Sequence, residues 1–346
     1  MSERILIVAP SWVGDTILSE PLVAMLRQPL EVPIVDVLAP SWCAPIYQRM
    51  RGIRKVIENP VGHRELGFGK RRALAASLRQ NAYTRAFILP NSFKSALIPW
   101  LARIPRRTGY VGEARGMLLT DVRRLDRKAY PRLVDRFVAL AANPGELLPR
   151  ASAPVLAPNT ANAAAAIRAL GLATRRPVAI FCPGAEYGPA KRWPAEHFAT
   201  LARRLIDSGY AVWVIGSPND QPAADSLAAL VPEIRNACGR TDLGTAIDLL
   251  ATASVVVSND SGLMHAAAAV GVSLVALFGS SSPDYTPPLS PLARVARIDI
   301  VCSPCFQRVC PLGHFKCMRE LSPNVVYDLA RLGANNDLPG SLPDLI

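Results

Sequence analysis

The chain has 346 residues, 50% of them hydrophobic. That is too long for one ordinary core and too apolar for a disordered chain, so two domains are expected. Lys and Arg number 39 against 27 Asp and Glu, a net charge of +12, which favours nucleic acid, a membrane surface or a phosphorylated substrate as partner.

A generic basic surface, or an Arg-rich genome composition, is the alternative source of that charge. Nucleic acid is disfavoured, because no binding motif is present and aromatic residues make up only 6%. The opening MSERILIVAP has an apolar run of about six residues before Pro10, too short for a signal peptide. The uncharged stretch 261–283 contains His265, Gly271 and a serine cluster, and divides into a helix and a strand rather than a membrane span. A cytoplasmic location follows as an expectation, with the seven cysteines as thiols.

In chain order, the first third alternates apolar runs with helical patterns. ILIVA (5–9), IVDVLA (34–39) and AFILP (86–90) are near-continuous apolar runs, as strands buried on both faces require. TILSEPLVAMLRQ and RRALAASLRQ between them have helical spacing. Repetition of strand and helix predicts a parallel sheet with right-handed crossovers. A Pro-rich passage places a linker near residues 145–160, followed by an Ala-rich helix. The same rhythm then restarts in VAIFCPG (178–184), AVWVIG (211–216), IRNACG (234–239), SVVVSND (254–260) and SLVALFG (273–279). The fold class is therefore α/β: two doubly wound, Rossmann-like parallel-sheet domains, expected at 1–150 and 160–324, with ligands in a central cleft at the strand carboxyl ends.

Four constellations carry candidate chemistry. PSWVGD puts Gly14 and Asp15 after the first strand. Asp15 is either a helix N-cap or a base for a hydroxyl, and the two roles are compatible; Gly14 permits close backbone approach. FCPGAEYGPAKRWPAEHF (181–198) offers Lys191 and Arg192 plus backbone N–H groups. It is not a Walker loop, and it is either a solvated basic loop or a grip for a diphosphate. In SNDSGLMHAAAA, Asp260 caps a helix or bonds ligand hydroxyls. Ser261, Gly262 and Leu263 offer helix-start N–H groups to an anion, and His265 is either structural or assists there. Finally, Cys302, Cys305, Cys310 and Cys317 run C-x2-C-x4-C-x6-C with His314 among them. A structural zinc knuckle, a redox-sensitive thiol group and plain thiols all remain open. Lys70, Arg71, Arg72, Arg103, Arg106, Arg107 and Arg115 are surface charges singly and a site for an acidic acceptor together.

PSWVGD, CPGAEYGPAKRWP, SNDSGLMHAAAA and the cysteine cluster, in that order from Ile5 to about Met318, resemble glycosyltransferase family 9, the heptosyltransferases. The forms PSWVGD and AEYGPAKRWP are similar to the branch that adds the second heptose of the lipopolysaccharide inner core. The resemblance implies GT-B architecture, with acceptor on the first domain, donor mostly on the second, and the segment from about 325 to 346 packing back on the first. It implies inverting transfer of heptose from ADP-heptose to heptosyl-Kdo-lipid A, through an oxocarbenium-like transition state. Asp15 is then the general base and Lys191 the partner of the departing phosphates. Ser261, Gly262, Leu263 and His265 serve the same diphosphate, Asp260 holds heptose hydroxyls, and Glu186 and Tyr187 line the loop. The adenine pocket falls around Gly239 to Leu243.

No D-x-D pair is present, so the mechanism is expected to use Lys and a helix dipole and to require no cofactor. The basic charge then has a target in a phosphorylated glycolipid at the anionic cytoplasmic face of the inner membrane, reached peripherally. Rival readings are another family 9 transferase with a different acceptor, a nucleotide-sugar epimerase, and a non-catalytic membrane-surface binding protein. A nicotinamide enzyme is disfavoured because G-x-G-x-x-G is missing.

Overall fold

The computed structural model describes residues 3–28, 32–62, 65–143, 146 and 150–334. They divide into two compact units, Met1–Ala157 and Pro158–Ile346. The first unit runs β1 (Arg4–Val8), α1 (Val13–Leu18), α2 (Glu20–Leu26), β2 (Ile34–Ala39), α3 (Ala44–Tyr47), β3 (Ile53–Glu58), α4 (Phe68–Arg79), β4 (Arg85–Ile88), α5 (Phe93–Leu101), β5 (Arg106–Tyr110), β6 (Asp121–Arg123) and α6 (Leu133–Ala139). Its strands form a parallel sheet in the order β3-β2-β1-β4-β5-β6. The order reverses between β1 and β4, and the loops leaving the strands at such a switch point are where ligands bind. Ile5, Leu6 and Ile7 of β1 are all fully buried, which is why that strand reads as an unbroken apolar run.

The second unit runs α7 (Thr160–Ala169), β7 (Val178–Cys182), α8 (Ala195–Asp207), β8 (Ala211–Val214), α9 (Gln221–Leu230), β9 (Arg235–Asn236), α10 (Leu243–Leu250), β10 (Val255–Asn259), α11 (Gly262–Ala269), β11 (Leu274–Leu277), β12 (Ala293–Ala296), α12 (Lys316–Arg319) and α13 (Pro323–Ala334). Its parallel order is β12-β11-β10-β7-β8-β9, with the switch point between β10 and β7. Each unit is thus a six-stranded Rossmann-like sheet, the pair that defines the GT-B class.

Three expectations change. The first long helix is two helices: Pro21 lacks the N–H that would bond back along the turn, and the chain breaks at Ser19 between α1 and α2. The N-cap of α1 is Trp12 and that of α11 is Ser261, so neither Asp15 nor Asp260 is an N-cap. Finally, residues 325–334 belong to the second unit. In α13, Val326, Tyr327 and Ala330 join Phe198, Leu201 and Leu205 of α8 in the second unit's core. Their i, i+1, i+4 spacing makes one apolar face, and Arg204 anchors the helix start through Asn324 Oδ1 at 2.5 Å. The remainder of that expected segment, 335–346, lies outside the described residues.

Candidate active site

In the second unit the loop after β7 and the turn after β10 are stitched by one side chain. Asn259, fully buried, accepts the Trp193 N–H through Oδ1 at 3.2 Å and donates Nδ2 to the Pro183 carbonyl at 2.6 Å. That bond pair fixes the loop carrying Lys191 beside Asp260. Lys191 Nζ lies 2.5 Å from Asp260 Oδ2, with the two side chains 16% and 4% exposed. Ser281 Oγ donates to the same carboxylate oxygen. Asn259 belongs to the NDSG turn and Ser281 to the serine cluster, but their positioning roles carry no sequence signature.

Helix α11 begins directly after this ion pair. Ser261 makes no capping bond; its Oγ lies 3.3 Å from Ser258 Oγ instead. The first-turn amides of Gly262, Leu263 and Met264 are therefore left without a side-chain cap, the arrangement that suits an anion. His265 is 5% exposed. Burial, with Lys191 adding and Asp260 opposing, pushes its pKa down to about 4, so the imidazole is neutral near pH 7.

The Lys191 loop leans on the cysteine-bearing segment. Tyr187 Oη donates to the Phe306 carbonyl at 2.7 Å, and the Ala190 N–H donates to the Arg308 carbonyl at 3.1 Å. A Cβ at Gly188 would stand 2.4 Å from that same Arg308 oxygen, so only glycine fits. Lys191 and Arg308 lie 5.1 and 5.2 Å from the Tyr187 ring centroid. Exposed Glu186 accepts Asn219 Nδ2 at 3.3 Å. Phe306 and Arg308 act here through their backbone carbonyls, which sequence cannot signal.

Of the three readings of the cysteine cluster, the structure gives zinc no support. Among the described residues no three His, Cys, Asp or Glu side chains form a group able to hold a metal ion. Cys302, Cys305, Cys310 and Cys317 are all free thiols. Cys310 Sγ accepts the Phe315 N–H at 3.4 Å, and this and neighbouring backbone donors lower its pKa. Cys317 packs toward Gly279, and burial raises its pKa. Cys302, Cys305 and Cys310 lie near enough to Cys317 to add to that rise.

In the first unit, Asp15 occupies the first turn of α1 and Gly14 precedes it within the same helix. Asp15 is half-buried. Thr16 Oγ1 meets Cys43 Sγ at 3.4 Å, and Trp42 Nε1 donates to the Ser11 carbonyl at 2.9 Å. The loops after β1 and β2 are joined in this way. Several expected acceptor cations are structural instead. Arg115 is fully buried and donates to Tyr110 O, Pro90 O, Asn91 Oδ1 and Ser95 Oγ. Arg71 and Arg107 donate to backbone carbonyls, and Arg106 pairs with Asp121. Lys70 pairs with Glu65 at the surface, and Arg72 and Arg103 are exposed.

The family model for glycosyltransferase family 9 (heptosyltransferase) matches residues 71–316, spanning the loop, the NDSG turn and the cysteine segment up to Lys316. The chain belongs to glycosyltransferase family 9. This family 9 chain is 48% identical over 306 residues to lipopolysaccharide heptosyltransferase 2 of Escherichia coli (strain K12), which covers 85% of this chain and 88% of that protein. It is 46% identical over 309 residues to lipooligosaccharide heptosyltransferase 2 of Haemophilus influenzae, with the same coverage of 85% and 88%. The solved structure of E. coli ADP-heptose lps heptosyltransferase II superposes with a TM-score of 0.86 at 41% identity, over 96% of this chain and 98% of that one.

Proposed function

We propose that this chain transfers L-glycero-D-manno-heptose from ADP-heptose to the first heptose of the lipopolysaccharide inner core, with inversion, and that Asp15 is the general base. The heptosyltransferase 2 relatives support the acceptor class, and the solved ADP-heptose lps heptosyltransferase II supports the donor. The observation that carries the donor side is the Lys191–Asp260 pair at the uncapped start of α11.

On this reading Lys191 and the amides of Gly262 and Leu263 take the negative charge that grows on the departing ADP. Asp260 turns Lys191 toward that site and offers its carboxylate to heptose hydroxyls, and neutral His265 serves as a hydrogen-bond partner beside it. Glu186 and Tyr187 shape the loop above. Adenine lies around Gly239 to Leu243, where the Thr241 hydroxyl is buried without a protein partner. Inversion needs one base and no covalent intermediate. Asp15 sits in the first turn of α1, the helix that follows β1 at the first unit's switch point, and there it would deprotonate an acceptor hydroxyl. The acceptor is reached from the cytoplasmic face of the inner membrane. Among the described residues no helix is long and apolar enough to cross a membrane. Exposed Lys70 and Arg72 beside exposed Leu66 and Phe68 support a peripheral association.

The test is heptose transfer to heptosyl-Kdo-lipid A by wild type and Asp15→Asn. The amide keeps the shape and removes the proton acceptor. We expect kcat to fall by roughly a hundredfold or more with ADP affinity unchanged. Equal turnover by both enzymes means the base lies elsewhere.

A further inference from the structure

The sequence has five tryptophans. Trp193 and Trp213 are core residues, 3% and 2% exposed, whereas Trp12, Trp42 and Trp100 are 47%, 48% and 44% exposed; Trp100 lies on α5, and Trp12 and Trp42 differ from it in their place. These two follow β1 and β2, at the carboxyl ends of neighbouring parallel strands. They are also brought together in space. Ser11, the neighbour of Trp12, accepts the Trp42 indole N–H through its carbonyl at 2.9 Å. The Cys43 thiol, next to Trp42, reaches the same carbonyl at 3.6 Å and meets Thr16 Oγ1 at 3.4 Å. Thr16 is the neighbour of Asp15, and its N–H bonds the Trp12 carbonyl at 2.9 Å. The negative charge of Asp15 is felt at Cys43 and Tyr47.

Two half-exposed indoles thus flank the turn that presents Asp15. The Trp42 N–H is already spent on the backbone, so a partner meets the ring face and not its polar edge. A large rigid aromatic surface left in water is a binding feature when it adjoins a reactive group. Sugars carry patches of weakly positive C–H groups, which pack on the negative face of an aromatic ring while their hydroxyl rims stay hydrated. A neutral platform of this kind orients by shape, which a loop of solvated cations does not do.

We propose that Trp12 and Trp42 form a stacking platform for an acceptor sugar, holding its hydroxyl against Asp15. This deepens the acceptor side of the reading above and rests on Asp15 as base. Orientation of this sort lowers a barrier by fixing the reacting atoms in place.

The test compares Trp12→Ala, Trp42→Ala, Trp12→Phe and Trp42→Phe in steady-state transfer to heptosyl-Kdo-lipid A. ADP binding by calorimetry and thermal melting are measured on each. We expect the acceptor KM to rise roughly tenfold or more in each alanine variant, with ADP affinity and melting unchanged. The phenylalanine variants should recover most of the loss. Trp42→Phe keeps a ring but lacks the bond to Ser11, which separates stacking from hydrogen bonding. An acceptor KM within about twofold of wild type in both alanine variants overturns the proposal. So does a parallel loss of ADP binding and melting temperature, which marks the rings as structural. Failure of the base reading shows separately, as wild-type kcat in Asp15→Asn.

Discussion

His265 shows how one residue's environment sets a measurable property of the whole chain. Its ordinary pKa of 6.5 falls to about 4 because the ring is buried. The unfolded chain takes up this proton first as pH falls, so folded stability is lost from about pH 6.5 down to about 4, and no further below. The loss from this group is on the order of 3 kcal/mol. In His265→Gln the difference in unfolding free energy between neutral and acid pH should shrink by about that amount. An unchanged pH dependence in urea melts of the variant overturns the assignment. At this scale the sequence was partly legible. Asp260, Ser261 and His265 stand within one short motif after an apolar strand, so their convergence follows from local geometry. Lys191, 69 positions away from Asp260, reaches it because β7 and β10 are adjacent in the sheet. By contrast, Arg115 looked like a surface cation. Its burial beneath backbone carbonyls depends on tertiary packing that a basic cluster in sequence does not encode.

Among elements, legibility followed burial. β1, β2, β4, β7, β8, β10 and β11 are central or doubly covered strands, and their continuous apolar runs announce them. β3, β6, β9 and β12 are the sheet edges. β9 was still expected, within IRNACG, but the residues of the other three, IRKVIE, DVR and ARVA, mix charge with apolar side chains and give no such run. β5 is interior but reads RRTGY. Its polar groups are satisfied by Leu118, Thr120 and Asp121, so pairing replaces hydrophobicity as the reason it is a strand. The cysteine segment was only partly legible for a related reason. Thiol spacing left metal, redox chemistry and plain thiols open, while the segment's contact with the Lys191 loop runs through carbonyls. That contact makes a prediction about Gly188. A methyl group there meets the Arg308 carbonyl at 2.4 Å, a backbone atom that cannot rotate aside. Gly188→Ala should push the two loops apart and displace Lys191. We expect weaker ADP binding, by roughly tenfold, with a loss of order 1–3 kcal/mol in stability. Wild-type ADP affinity in the variant means the buttress does not position Lys191.

For the whole molecule, the charge of +12 is the property that individual sites do not explain. Arg71, Arg107 and Arg115 are spent on internal carbonyls, so they are not available to a partner. The cations that remain outward include Lys70 and Arg72 on α4, beside Leu66 and Phe68, which are 63% and 54% exposed. Basic residues near an anionic bilayer are worth about 1 kcal/mol each, and apolar neighbours add contact with the interface. Attraction of this origin is screened: from roughly 0.1 M to 1 M salt the Debye length shrinks from about 10 to about 3 Å. Sedimentation with vesicles containing anionic phospholipid should therefore retain the protein at low salt and release most of it at high salt. Neutral vesicles should retain little in either condition. Reversing Lys70 and Arg72 to Glu should weaken retention further, without altering ADP affinity, because both residues belong to the first unit and the donor loops to the second. Retention that ignores both salt and charge reversal would show that the basic balance serves something other than a membrane surface.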